Sequence, residues 1–234
     1  MAPGLTLWGH IAVGFLAILF FWATLLSSKG SPRHRAWGKR FFVTLVIVAA
    51  SIAPLLLLRS GSFNPAWLIQ FIYLALCLLT VTLIGWTSIR WKNDLPRFRG
   101  RHFKILAVTI FLLGAVVLIA GMLTQNILTA SFSWVGLAYG GTMIRFGWMK
   151  AQPHPRWWMI WHLNAVCGLF NAVHGTFLAV IWRTLVDSTA GIELGATMQV
   201  VTVLAALGLR LWWGTERNAP LRLTNSMSAA VKPA

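Results

Sequence analysis

The stretch Trp157–Phe177, WWMIWHLNAVCGLFNAVHGTF, carries no charged residue over twenty-one positions, yet it holds two histidines and two asparagines. The apolar run continues to Trp182. About 20 apolar residues in a helix cross a hydrocarbon core of about 30 Å, so this segment is long enough to span a bilayer. A span that carries four polar side chains must turn them toward the protein, because lipid leaves donors and acceptors unpaired.

Outward from this segment the same pattern recurs. Seven apolar runs are evident: Leu5–Leu26, Phe41–Leu58, Trp67–Ile89, Phe103–Leu123, Leu128–Phe146, Trp157–Trp182 and Leu194–Trp213. The chain is 58% hydrophobic and 10% charged, far below the roughly 25% charge of soluble proteins. No alternating strand pattern appears, so the spans are expected to be helices, and the fold class is all-α, a polytopic transmembrane bundle. Residues 1–213 are read as the bundle and 214–234, beginning GTERNAP, as a disordered cytoplasmic tail.

The net charge of +16 is a topology signal. Eighteen of the twenty basic residues fall on one side of a seven-span arrangement, and only Arg59 and Arg183 fall on the other. By the positive-inside pattern the N-terminus lies outside and the C-terminus in the cytoplasm, as expected for a bacterial inner-membrane protein. The basic connections are short and lie against anionic lipid, which argues for membrane lipids as partners and against nucleic acid. MAPGLTLWGHIAVG lacks a basic leader region, so the first run is expected to stay as a helix.

Local chemistry marks several features. Asn64 with Pro65 reads as a helix start, QPHP (residues 152–155) separates spans five and six, and Pro54 should kink the outer end of span two. Trp8, Trp67, Trp91, Trp157, Trp158, Trp182, Trp212 and Trp213 are read as interfacial belts. The GxxxG spacings Gly136–Gly140 and Gly191–Gly195 predict close helix packing. Cys77 and Cys167 both fall near mid-membrane and read as packing residues. Nucleotide-binding glycine loops and paired catalytic carboxylates are absent, and none of Asp94, Asp187, Glu193 and Glu216 lies at mid-membrane, where a proton-coupled transporter would need one.

The histidines are the remaining candidates. Asn164, Cys167, Asn171 and His174 recur at spacings of three, four and three, one stripe on span six, while His162 lies roughly 120° away. Counting along the helices brings His10 and His174 to similar depths in the outer half, with the small residues Gly14 and Ala17 following His10 on its face. Two facing imidazoles in an apolar pocket are what a six-coordinate haem b requires. The weaker pairings join His162 to His34 or His102 near the inner surface. The structural alternative for each is a hydrogen bond across helices. Arg33, Arg35, Lys39 and Arg40, in SPRHRAWGKR, are expected to hold a compact turn against lipid phosphates.

HIAVGFLAILFFWATLLSSKGSPRHRAWGKRFFVTLVIVAA is similar to the opening of a family of bacterial multi-span membrane proteins classed as a domain of unknown function. The likeness rests on His10 with Gly14, Lys29 with Gly30, and a His-Arg-x2-Gly signature at His34, Arg35 and Gly38. GWTSIRWK and the segment around His162 also resemble it. The resemblance implies a helical bacterial membrane protein; at His174 the family usually has an apolar residue. Two function classes follow from the sequence: a non-enzymatic accessory or assembly component docking other membrane-protein subunits, which the lack of catalytic geometry favours, or a b-type haem protein using His10 and His174.

The charge asymmetry makes a direct prediction. A reporter fused after the last span should be active only in the cytoplasm, and a periplasm-active fusion there would refute the assigned topology.

Overall fold

A computed structural model describes residues 3–58 and 65–224. The helices are α1 (Pro3–Leu26), α2 (Pro32–Ala50), α3 (Ile52–Leu57), α4 (Pro65–Arg90), α5 (Leu95–Phe98), α6 (Arg101–Leu123), α7 (Ile127–Phe132), a π-helical segment (Val135–Gly140), α8 (Gly141–Trp148), α9 (Trp157–Leu185) and α10 (Ile192–Glu216). Seven helical stretches among the described residues are long and apolar enough to cross a membrane, as the hydropathy pattern predicts. The caps expected at Asn64, the charges at Arg59 and Lys232, and the tail from 225 onward lie outside the described residues.

The helices α4 and α9 form the centre. α9 packs against α4, α10 and α1, and α4 also meets α2 and α6. α6 in turn packs along α7, the π segment and α8. One apolar cluster gathers Phe98, Phe103, Phe146, Trp157 and Trp161 at the basic end of the bundle. Its rings meet closely, Phe98 and Trp157 at 4.8 Å and Phe146 and Trp161 at 5.3 Å. A second cluster joins Ala17, Phe21, Phe41, Leu45 and Phe170 across α1, α2 and α9. Cys77 and Cys167 are free, buried, and divided between the two clusters.

Span two begins nine residues earlier than its apolar run. The Ser31 hydroxyl accepts from the His34 amide at 3.1 Å, and Pro32 occupies the first helical position, so SPRHRAWGKR is helix rather than a compact turn. Pro54 acts as expected: the helix breaks at Ser51, between α2 and α3. Trp157, expected in the interfacial belt, is 7% exposed and belongs to the aromatic core, whereas Trp8, Trp182 and Trp212 are exposed.

The two GxxxG spacings diverge. A Cβ added at Gly114 would lie 3.0 Å from the Gly136 Cα, and one at Gly136 would collide with the Ile110 carbonyl, so α6 and the π segment cross with their backbones touching. Gly195 makes only an ordinary contact with Leu128, and Gly191 is the N-cap of α10, so that pair mediates no such crossing.

A third helix satisfies the disturbed backbone at the crossing. The Tyr73 hydroxyl accepts from the Gly136 amide at 2.8 Å and lies 3.1 Å and 3.2 Å from the carbonyls of Phe132 and Ser133. A side chain inserted into the helical ladder is a known cause of such irregularity. Tyr73→Phe should orphan the amide and lower stability by about 1–3 kcal/mol, read as an earlier melting transition in detergent. Gly136→Val should cost more, since its side chain has no space to enter.

The chain after Trp213 also departs from the expected tail. α10 runs to Glu216, the Ala219 amide donates to the Gly214 carbonyl at 2.8 Å, and Pro153 and Thr224 form an isolated β-bridge. Residues 217–224 therefore form a strap folded over the basic end, with Ala219 and Leu223 buried.

Candidate functional site

A cavity of about 620 Å³ opens at the basic end, between the last turn of α1, the first turns of α2, the end of α4 and the start of α9. Its size is in the range of small-molecule and cofactor sites. Phe21, Phe41, Phe42, Trp86, Trp158 and Trp213 supply aromatic walls, and Lys29, Arg35, Lys39, Arg90, Lys92 and Arg217 supply cations. No carboxylate lines it among the described residues. Burial and the nearby Arg217 charge hold the Lys29 ammonium below its ordinary value.

Two histidines share this cavity, His34 and His162. His34 sits in the first turn of α2, where its Nδ1–H donates to the Thr24 carbonyl at 3.0 Å, one of the carbonyls that the end of α1 leaves without an amide partner. Gly30, at φ +80°, makes the turn that brings α2 back to that carbonyl. His162 sits in the second turn of α9, and its Nδ1–H donates to the Gly85 carbonyl on α4 at 3.1 Å. Gly85 lets the two helices meet: a Cβ there would lie 3.0 Å from the Ala165 Cβ and 3.1 Å from the Phe42 ring.

Because a carbonyl only accepts, each ring is fixed with its proton on Nδ1 and a lone pair on Nε2. No hydrogen bond engages either Nε2 among the described residues. Histidines that ligate a metal usually donate Nδ1–H in this way, which orients the ring and raises the basicity of Nε2.

The structure does not bring His10 and His174 together. Phe15 stacks on Phe177 and Phe21 packs against Phe170, which sets the register of α1 against α9. His174 thereby comes level with Trp22, whose indole N–H donates to His174 Nε2 at 3.0 Å, while His174 Nδ1–H donates to the Phe170 carbonyl at 2.9 Å. Both nitrogens are occupied. His10 lies twelve residues from Trp22 along α1, about 18 Å away, with Nδ1 2.7 Å from the Ser51 hydroxyl at the break in span two. His102 packs edge-on to Trp91 at 5.2 Å and does not line the cavity.

The stripe on span six divides. Asn164 accepts from Arg210, and Asn171 donates to the Gln199 carbonyl, the Gln199 side chain and the Thr202 hydroxyl, so both face α10, while His174 turns toward α1. Of the four basic residues assigned to lipid, all are exposed; Arg35 and Lys39 border the cavity, and Arg40 lies over the Trp37 ring at 4.4 Å.

In the sequence Lys29, Arg90, Lys92 and Arg217 stand as topology charges, the first three also within family-like segments, and their convergence on one mouth depends on tertiary structure. Among the described residues no three His, Cys, Asp or Glu side chains group as a metal site. Compared with protein-family models, curated proteins and solved structures, the chain finds no match.

The contrasting surroundings of His174 and Asn171 predict unequal costs. Asn171→Leu should lower stability by about 1–2 kcal/mol, because it leaves buried acceptors on α10 without a donor. His174→Leu should cost distinctly less, since Trp22 is 42% exposed. Equal melting-temperature losses would contradict this assignment.

Proposed function

We propose that this multi-pass protein binds a b-type haem near the cytoplasmic surface of a bacterial inner membrane, which His34 and His162 would hold, and acts in electron transfer or sensing. One observation carries the reading: two imidazoles from different helices, each anchored through Nδ1 to a backbone carbonyl, present unengaged Nε2 atoms to a single aromatic-walled cavity. A haem has a flat apolar body and two carboxylates, and the cationic mouth offers those carboxylates Lys29, Arg35, Lys39, Arg90, Lys92 and Arg217. When bound, the group supplies one-electron chemistry at a potential set by its axial ligands and surroundings. The carbonyls of Thr24 and Gly85 fix the imidazoles, Phe41, Phe42 and Trp86 would shield the group from water, and the cations of the mouth would neutralise its carboxylates.

The reading is tested by expressing the protein with an ample haem supply and recording oxidised and reduced visible spectra in detergent. A low-spin b-type spectrum is expected, abolished by His162→Ala and abolished or converted to a high-spin form by His34→Ala. His10→Ala and His174→Ala should leave it unchanged. A colourless protein, or a spectrum that depends on His10 and His174 instead, would refute the assignment, and colourlessness would favour an accessory component that docks other membrane subunits.

A further inference from the structure

A second, smaller cavity of about 360 Å³ lies under the strap, bordered by His154, Arg210, Leu211, Gly214, Thr215 and the residues 218–222. Arg210 is the unusual member. It is 4% exposed, one and a half turns inside the end of α10. Its Nε–H donates to the Asn164 side chain, and its terminal nitrogens donate to the carbonyls of Ala219 at 3.0 Å and Pro220 at 3.2 Å. Gly214 makes room for this: a Cβ there would lie 3.0 Å from the Ala219 carbonyl and meet the guanidinium itself.

Three neutral acceptors hold the guanidinium in place, but they leave its charge unmatched and two of its five N–H donors unused. A buried cation without a counter-ion is costly. The other polar groups of the cavity deepen the imbalance. Arg222 adds a second cation, and no carboxylate lines the cavity among the described residues; Glu216, close in sequence, is exposed. His154 Nδ1 accepts from the Arg156 amide at 3.1 Å, so its proton sits on Nε2, which makes the ring a donor. Burial and the charges of Arg222 and Arg156 hold this imidazole below its ordinary value, as expected where positive potential accumulates.

We propose that this cavity binds a phosphate oxyanion, the Arg210 guanidinium and the Arg222 and His154 side chains together supplying its charge and donors. Guanidinium matches phosphate with paired, charge-assisted hydrogen bonds, so the anion would use the donors that the carbonyls leave free. The strap contributes both the carbonyls that position Arg210 and the Arg222 side chain, so the site is complete only with the strap in place. The cavity lies at the basic end of the bundle, where phospholipid headgroups and dissolved phosphate are both within reach.

The full chain, purified in neutral detergent and delipidated, should be melted against increasing inorganic phosphate, and separately against mixed micelles containing phosphatidic acid or, as control, phosphatidylcholine. A saturable rise in melting temperature is expected with one of the first two ligands. A rise with inorganic phosphate assigns a free anion; a rise confined to phosphatidic acid assigns a lipid headgroup. The His154→Ala/Arg222→Ala double variant leaves the carbonyl bonds of Arg210 and the larger cavity intact, and it should weaken the apparent affinity by roughly tenfold or more. Arg210→Gln serves as a second variant if it folds. No saturable shift with either ligand, or a shift unchanged in the double variant, overturns the proposal.

Discussion

Hydrocarbon offers no partner to a backbone amide, and the crossing of α6 with the π segment shows how far that constraint reaches. Gly114 and Gly136 bring the two backbones into contact, which leaves no space for either helix to repair its own ladder with a local side chain. The repair comes from α4, through the Tyr73 hydroxyl. Three elements are thus tied at one point deep in the bundle, and α4, held there, carries Gly85 toward the basic end, where it meets His162. The same helix thus serves the crossing near one end and lines the larger cavity near the other.

The spans were legible because length and hydropathy are sufficient to define them, and the Gly136–Gly140 crossing because only small residues permit it. The start of α2 was obscured by its charges: Arg33, Arg35, Lys39 and Arg40 read as loop, although Ser31 and Pro32 carry a helix-start signal. The depth argument for His10 and His174 failed for a geometric reason. α9 runs 29 residues to Leu185, so His174 lies eleven residues, about 16 Å, short of its far end, well inside the level of His10. The pairing of His34 with His162 depends on the carbonyls of Thr24 and Gly85, groups that every residue possesses and no sequence distinguishes. Arg210 was counted among the eighteen topology charges, as if it followed the last span, although it lies three residues before the end of that apolar run.

The two cavities are sorted by a single proton. At His34 and His162 a carbonyl holds the proton on Nδ1, and the free nitrogen is an electron-pair donor suited to a metal. At His154 a backbone amide occupies Nδ1, and the free nitrogen is a proton donor suited to an anion. The same side chain, in the same positively charged end of the bundle, is directed to opposite chemistry by whether its first neighbour is a C=O or an N–H. Cationic lining alone would not separate these sites, since both have it.

The strap also makes the burial of Arg210 depend on chain beyond the helix. The carbonyls that enclose Arg210 belong to Ala219 and Pro220, nine and ten residues further along the chain. Without those residues in place the guanidinium, 4% exposed, would lose two of its three acceptors. The interior character of Arg210 therefore belongs to the residues that follow α10 as much as to the helix that carries it, and a change in residues 217–224 would reach the bundle through this one side chain.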